Sequence, residues 1–163
     1  MSLVRALPRT AGFSLIELLV SAAILGLLAT VAMPLAEVTV RRQKEHDLRL
    51  ALRDIRQAID AYKAAAASGK IALATGESGY PPTLTDLVAG VKNASDPEGP
   101  KLYFLRRVPR DPFNADAKVA AVDSWGLRSF ASPADKPAEG DDVYDVYSLS
   151  PETGLNGVPY SEW

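Results

Sequence analysis

The sequence predicts an α+β chain: one long N-terminal helix, membrane-spanning in its first half and amphipathic in its second, packed on a small antiparallel β-sheet. Three observations predict this. The block 13–36 is apolar and carries a single charge, Glu17. The segment behind it is rich in charge but keeps apolar residues at helical spacing. The rest of the chain holds short aromatic and β-branched runs separated by loops rich in proline, aspartate and glycine. The organisation that follows is a leader at 1–12, the apolar half of the helix at 13–36, the amphipathic half at 37–66 and a head at 67–163.

Bulk composition narrows the function classes. With 163 residues the chain has room for one core and one long helix. The net charge of −2 gives no basic excess for nucleic acid. Cysteine is absent, which excludes disulfides and thiolate metal sites.

The leader carries Arg5 and Arg9 and no acid. Positive charge on that flank keeps it cytoplasmic and sends the C-terminal portion across the membrane. As a helix, 13–36 would span ~36 Å, enough to cross a bilayer core. A secretory signal peptide is the rival reading, with Ala29-Thr30-Val31-Ala32 as its cleavage region. That reading leaves two features unexplained. The Gly12–Phe13 junction precedes the apolar run, and Glu17 lies inside it. A charge within a membrane helix costs about 2.5–3.5 kcal/mol on insertion scales, so something should offset it. If the chain is cut after Gly12, Phe13 gains a free α-amine, and Glu17 of one subunit can pair with the amine of a neighbour.

Beyond Pro34, which should kink or locally melt the helix, Leu48, Leu52, Ile55, Ile59 and Tyr62 form one apolar stripe. Charges fill the other faces, with Glu45 and Arg49 an i,i+4 pair. The helix should stop near Gly69. His46 reads as a surface residue, because metal sites need clustered ligands.

In the head, Thr83 with Asp86 three residues on offers a helix start, and a short helix should run to Val91. The segment 101–113 ends in a proline-punctuated turn, 123–130 reads as a strand, and Val143–Leu149 reads as the next. Three short strands suffice for a small sheet over one helical stripe. No catalytic constellation appears: the one histidine has no serine or cysteine partner at a recognisable spacing. An enzyme is therefore not expected.

The run Thr10-Ala11-Gly12-Phe13-Ser14-Leu15-Ile16-Glu17-Leu18-Leu19-Val20 resembles the leader junction of type IV pilins and pseudopilins. The resemblance implies that a prepilin peptidase cuts after Gly12 and N-methylates Phe13, and that Glu17 guides assembly. Pro34 matches the family's helix-breaking proline. Farther on, Tyr80-Pro81, the turn Val108-Pro109-Arg110-Asp111-Pro112-Phe113, Trp125-Gly126 and Tyr144-Asp145-Val146-Tyr147-Ser148 are similar to the major, G-type pseudopilin of type II secretion. Here residues 114–124 separate the Asp-Pro turn from Trp-Gly.

That likeness implies a structural subunit of a secretion pseudopilus that supports export of folded proteins. The alternatives are a type IV pilus subunit for adhesion, motility or DNA uptake, and a minor pseudopilin. The partners implied are the prepilin peptidase, copies of the chain and other pseudopilins, the inner-membrane assembly platform and the membrane itself, with no nucleic acid. The location implied is the inner membrane, single-pass, with a periplasmic head. The resemblance also implies a calcium ion in the loop after the last strand, with Glu152 as its first acidic ligand and Asn156 or Glu162 as substitutes for a second. The alternative is a metal-free loop pinned by Tyr160 and Trp163. The low carboxylate count favours the second, since calcium takes six to eight oxygens.

Overall fold

The computed structural model describes residues 12–163 and, at 31–34, the backbone alone. Arg5, Arg9, Thr10 and Ala11 lie outside the described residues. The chain divides into two compact units, Met1–Arg41 and Arg42–Trp163.

The first unit is the start of helix α1, which spans Leu15–Ala67. Ser14 caps it: its carbonyl accepts from the Leu18 N–H at 3.2 Å and its Oγ from the Glu17 N–H at 3.3 Å. Every described side chain from 12 to 30 is exposed. The few hydroxyls on this half are satisfied along the helix itself. Ser21 donates to the Glu17 carbonyl at 2.7 Å, Thr30 to Leu27 at 2.7 Å and Thr39 to Leu35 at 2.9 Å. That is what a helix in hydrocarbon needs, where no water takes an unmet hydrogen bond. The helix runs through Pro34 without interruption, so the backbone does not melt there. Proline costs the ladder one donor, and flanking turns carry the helix past it.

In the second unit the expected stripe forms the core. Leu48, Leu52, Ile55, Ile59 and Tyr62 are buried, joined by Ala51, Ala58 and Ala66. Burying each large apolar side chain contributes about 1.5–3 kcal/mol. α1 ends as expected at glycine. Gly69 takes φ +73°, its N–H reaches the Ala66 carbonyl at 3.0 Å, and the Lys70 N–H reaches Ala65 at 3.0 Å. This paired closure satisfies two of the last carbonyls.

Helix α2 spans Leu84–Ala89, with Leu84 and Leu87 buried. The Asp86 carboxylate accepts from the Thr83 N–H at 3.0 Å and the Thr83 hydroxyl at 2.8 Å. The helix stops two residues short of the expected Val91, because Gly90 at φ +74° turns the chain.

The sheet has two strands among the described residues, β1 Trp125–Arg128 and β2 Asp145–Ser148, antiparallel. The expected third strand in 101–113 is not one. It contributes a single bridge, Val91 to Leu102. The next two N–H groups, of Phe104 and Leu105, both go to the Leu87 carbonyl at the end of α2, at 3.0 and 2.9 Å. Pro109 and Pro112 then remove the donors a ladder would need. The segment packs against the core without pairing.

The register places Gly126 opposite Tyr147 and Arg128 opposite Asp145. A Cβ on Gly126 would lie 2.4 Å from the Tyr147 ring, so the ring lies flat over the glycine. Gly126→Ala should therefore destabilise the head by about 1–3 kcal/mol, read as a lowered melting temperature. Tyr147→Ala in the same background should recover part of that loss. A second prediction concerns pH. Burial, with the Asp86 and Glu77 carboxylates adding to it, raises the Tyr62 phenol above its ordinary value. The unfolded chain then loses this proton first. Stability present below the ordinary phenol value should fall as pH rises through it, and the Tyr62→Phe variant should show a smaller fall in alkaline melts.

Candidate functional site

Two regions carry the sequence-predicted functional residues, and they lie in different units. The first is the junction. Gly12 and Phe13 precede the helix in non-helical backbone and are exposed. A Cβ on Gly12 would meet nothing within 4 Å. Packing therefore does not demand glycine at this position, and neither does a left-handed backbone. Glu17 sits in the first turn of α1, where a carboxylate complements the helix dipole. Among the described residues its exposed carboxylate has no ion-pair or hydrogen-bond partner. The helix that follows is the one helix, among the described residues, long and apolar enough to cross a membrane, and none of its apolar window is buried.

The second region is the C-terminal loop after β2. Its tightest turn closes through the Gly154 N–H to the Val158 carbonyl at 2.8 Å and the Gly157 N–H to the Gly154 carbonyl at 2.9 Å. Tyr160 is fully buried, stacked on Phe113 at 4.0 Å and set edge-on to Trp163 at 5.0 Å. Trp163 in turn lies under the Arg49 guanidinium at 4.2 Å. The pinning of the loop by Tyr160 and Trp163 is thus present.

Three polar ties lock this region, two joining the loop and β2 to α1 and one joining the proline turn to β2, and sequence reasoning missed all three. Glu45, read as the partner of Arg49, is 5% exposed. Its Oε1 accepts from the Leu155 N–H at 2.7 Å and the Tyr160 hydroxyl at 3.0 Å, and Arg49 is a distant 3.9 Å. Arg56 donates to Asp145 at 2.8 Å, to the Val146 carbonyl at 3.2 Å and to the Trp163 main-chain oxygen at 2.7 Å. Asp145 also takes Arg128 at 3.3 Å. Asp111 is 1% exposed and accepts from the Ser148 hydroxyl at 2.6 Å and the Phe113 N–H at 2.8 Å. It tethers the proline turn to β2. A signal for Glu45 was available: it lies three residues before Leu48, in phase with the apolar stripe.

Of the three arginines in 101–113, Arg106 and Arg107 are exposed. Arg110 is spent inside the head, donating to the Asp116 and Val119 carbonyls and to Asn114. It braces the segment 114–124 that separates the turn from β1. His46 is exposed, as expected. Among the described residues, no three His, Cys, Asp or Glu side chains group as metal ligands. Glu152 and Glu162 lie exposed on the loop.

Residues 7–33 match the family model of the prokaryotic N-terminal methylation motif. The chain is 29% identical over 160 residues to the type II secretion system core protein G of Dickeya chrysanthemi, covering 91% of this chain and 95% of that one. No solved structure matches. The motif covers the junction, and the likeness to the core protein, a type II secretion pseudopilin of the G type, runs on through the head.

Proposed function

We propose that this chain is a structural subunit of a type II secretion pseudopilus, anchored in the inner membrane by α1 and assembled from there into a filament that supports export of folded proteins. The carrying observation is the bare first half of α1: an apolar helix with every described side chain from 12 to 30 exposed and one unpartnered carboxylate, Glu17. Such a surface is stable only in lipid or against other helices.

The steps follow from that surface. A prepilin peptidase cuts after Gly12, whose lack of any packing duty leaves a small, accessible junction for an enzyme to read. Phe13 becomes the new terminus and is N-methylated. The leader faces the cytoplasm and the head the periplasm, in keeping with Arg5 and Arg9 on the leader flank. When subunits leave the bilayer for the filament, the apolar halves pack on one another, and Glu17 of one pairs with the terminal amine of its neighbour. A desolvated pair of this kind is satisfied only in the assembled state, so it fixes register. Other pseudopilins and the inner-membrane assembly platform are the partners for this step.

Substituting Gly12 with a bulky residue should block processing, leaving a chain larger by the leader on a gel. Wild-type mobility in that variant would contradict the cleavage site. Glu17→Val should be processed normally, because the junction is intact, yet yield at least tenfold less sheared filament, the order expected from losing a buried charge pair. Unchanged filament yield would remove the pairing step.

A further inference from the structure

The resemblance to G-type pseudopilins implies a C-terminal loop ordered by calcium, and the donors here do not suit that ion. Calcium takes six to eight oxygens, with carboxylates prominent among them. In this loop Glu152 and Glu162 are the only acidic side chains, and no group of three acidic or histidine side chains forms among the described residues. The Asn156 side-chain oxygen accepts from the Val158 N–H at 3.1 Å. The carbonyls that a wrapping loop would turn toward an ion are engaged at home. Glu152 takes the Tyr160 N–H, Gly154 takes Gly157, and Val158 takes Gly154 and the Trp163 indole.

Meanwhile a carboxylate from outside the loop does what a cation would do from inside it. Glu45 on α1 is buried and in phase with the core stripe. Its Oε1 gathers the Leu155 N–H, at the turn's apex, and the Tyr160 hydroxyl, at the loop's far end. One acceptor thus pins two points of the loop to the helix. A cation holds a loop by collecting its oxygens; Glu45 holds this one by collecting its donors. We propose that the Glu45 carboxylate is the ordering clamp of the C-terminal loop, and that it makes the loop independent of divalent cations. The clamp lies wholly within the second unit, Arg42–Trp163, so it stands apart from the filament reading.

The test is chymotryptic cleavage after Leu155 in the full chain purified in detergent, with calcium or with a chelator. Leu155 is 45% exposed, so its cleavage rate reports loop opening. Wild-type and Glu152→Gln should be cut at the same slow rate in both buffers. Glu45→Ala should be cut faster by on the order of tenfold in both, because the buried Tyr160 hydroxyl and the part-buried Leu155 N–H lose their shared acceptor. Glu45→Gln keeps a side-chain carbonyl oxygen and should fall between, which also covers the case in which Glu45→Ala fails to fold. Faster cleavage of the wild type on chelation, or Glu152→Gln matching Glu45→Ala, would overturn the proposal. So would Glu45 variants cut at the wild-type rate.

Discussion

Leu48, Leu52, Ile55 and Ile59 of α1 are between 0 and 2% exposed, and the rest of the head is arranged to cover them. Neither the two-stranded sheet nor the six-residue α2 could stand alone in water. Each becomes stable by lying on the helical stripe. The polar ties then fix how they lie. Arg56 reaches across to β2 and to Trp163, Glu45 reaches the loop, and Asp111 binds the proline turn to Ser148. Each tie has a buried or half-buried end, where loss of one partner strands the other, so these contacts set geometry more than they add net stability.

The same helix meets the opposite condition in its first half. There the apolar residues point in every direction and none of the described side chains from 12 to 30 is covered. A helix that is apolar all round belongs in a bilayer or inside a bundle. Membrane anchoring and filament assembly are two ways of meeting that one requirement, first with lipid and then with copies of the same helix. In the filament proposed above, Glu17 is the exception that gives the second state its specificity, because lipid offers a carboxylate no partner.

Much of this was legible in the chain before folding. The helix length, the apolar stripe, the glycine stop and the capped start of α2 are local, and local chemistry announced them. Glu17 stood out because membrane-length apolar runs tolerate so few charges, and the Gly12–Phe13 junction stood out by its place just before that run; the methylation-motif match spans all three positions. What failed was non-local. The run 101–113 has strand composition, but its donors are claimed by the Leu87 carbonyl and its prolines donate none. Glu45 looked like half of a surface pair because Arg49 sits one turn on. Its true partners, Leu155 and Tyr160, lie more than a hundred residues away. Only its phase with Leu48 hinted that it faced inward.

The central claim is that the exposed apolar half of α1 is covered by other copies of itself once the filament forms. The absence of cysteine makes this directly measurable. Single cysteines placed at Leu19 and Leu28, both exposed in the isolated chain, can be oxidised in cells that assemble the filament. The account predicts disulfide-linked dimers at these positions, lost when cleavage at Gly12 is blocked. Chains that stay monomeric at both positions in assembled filaments would contradict it.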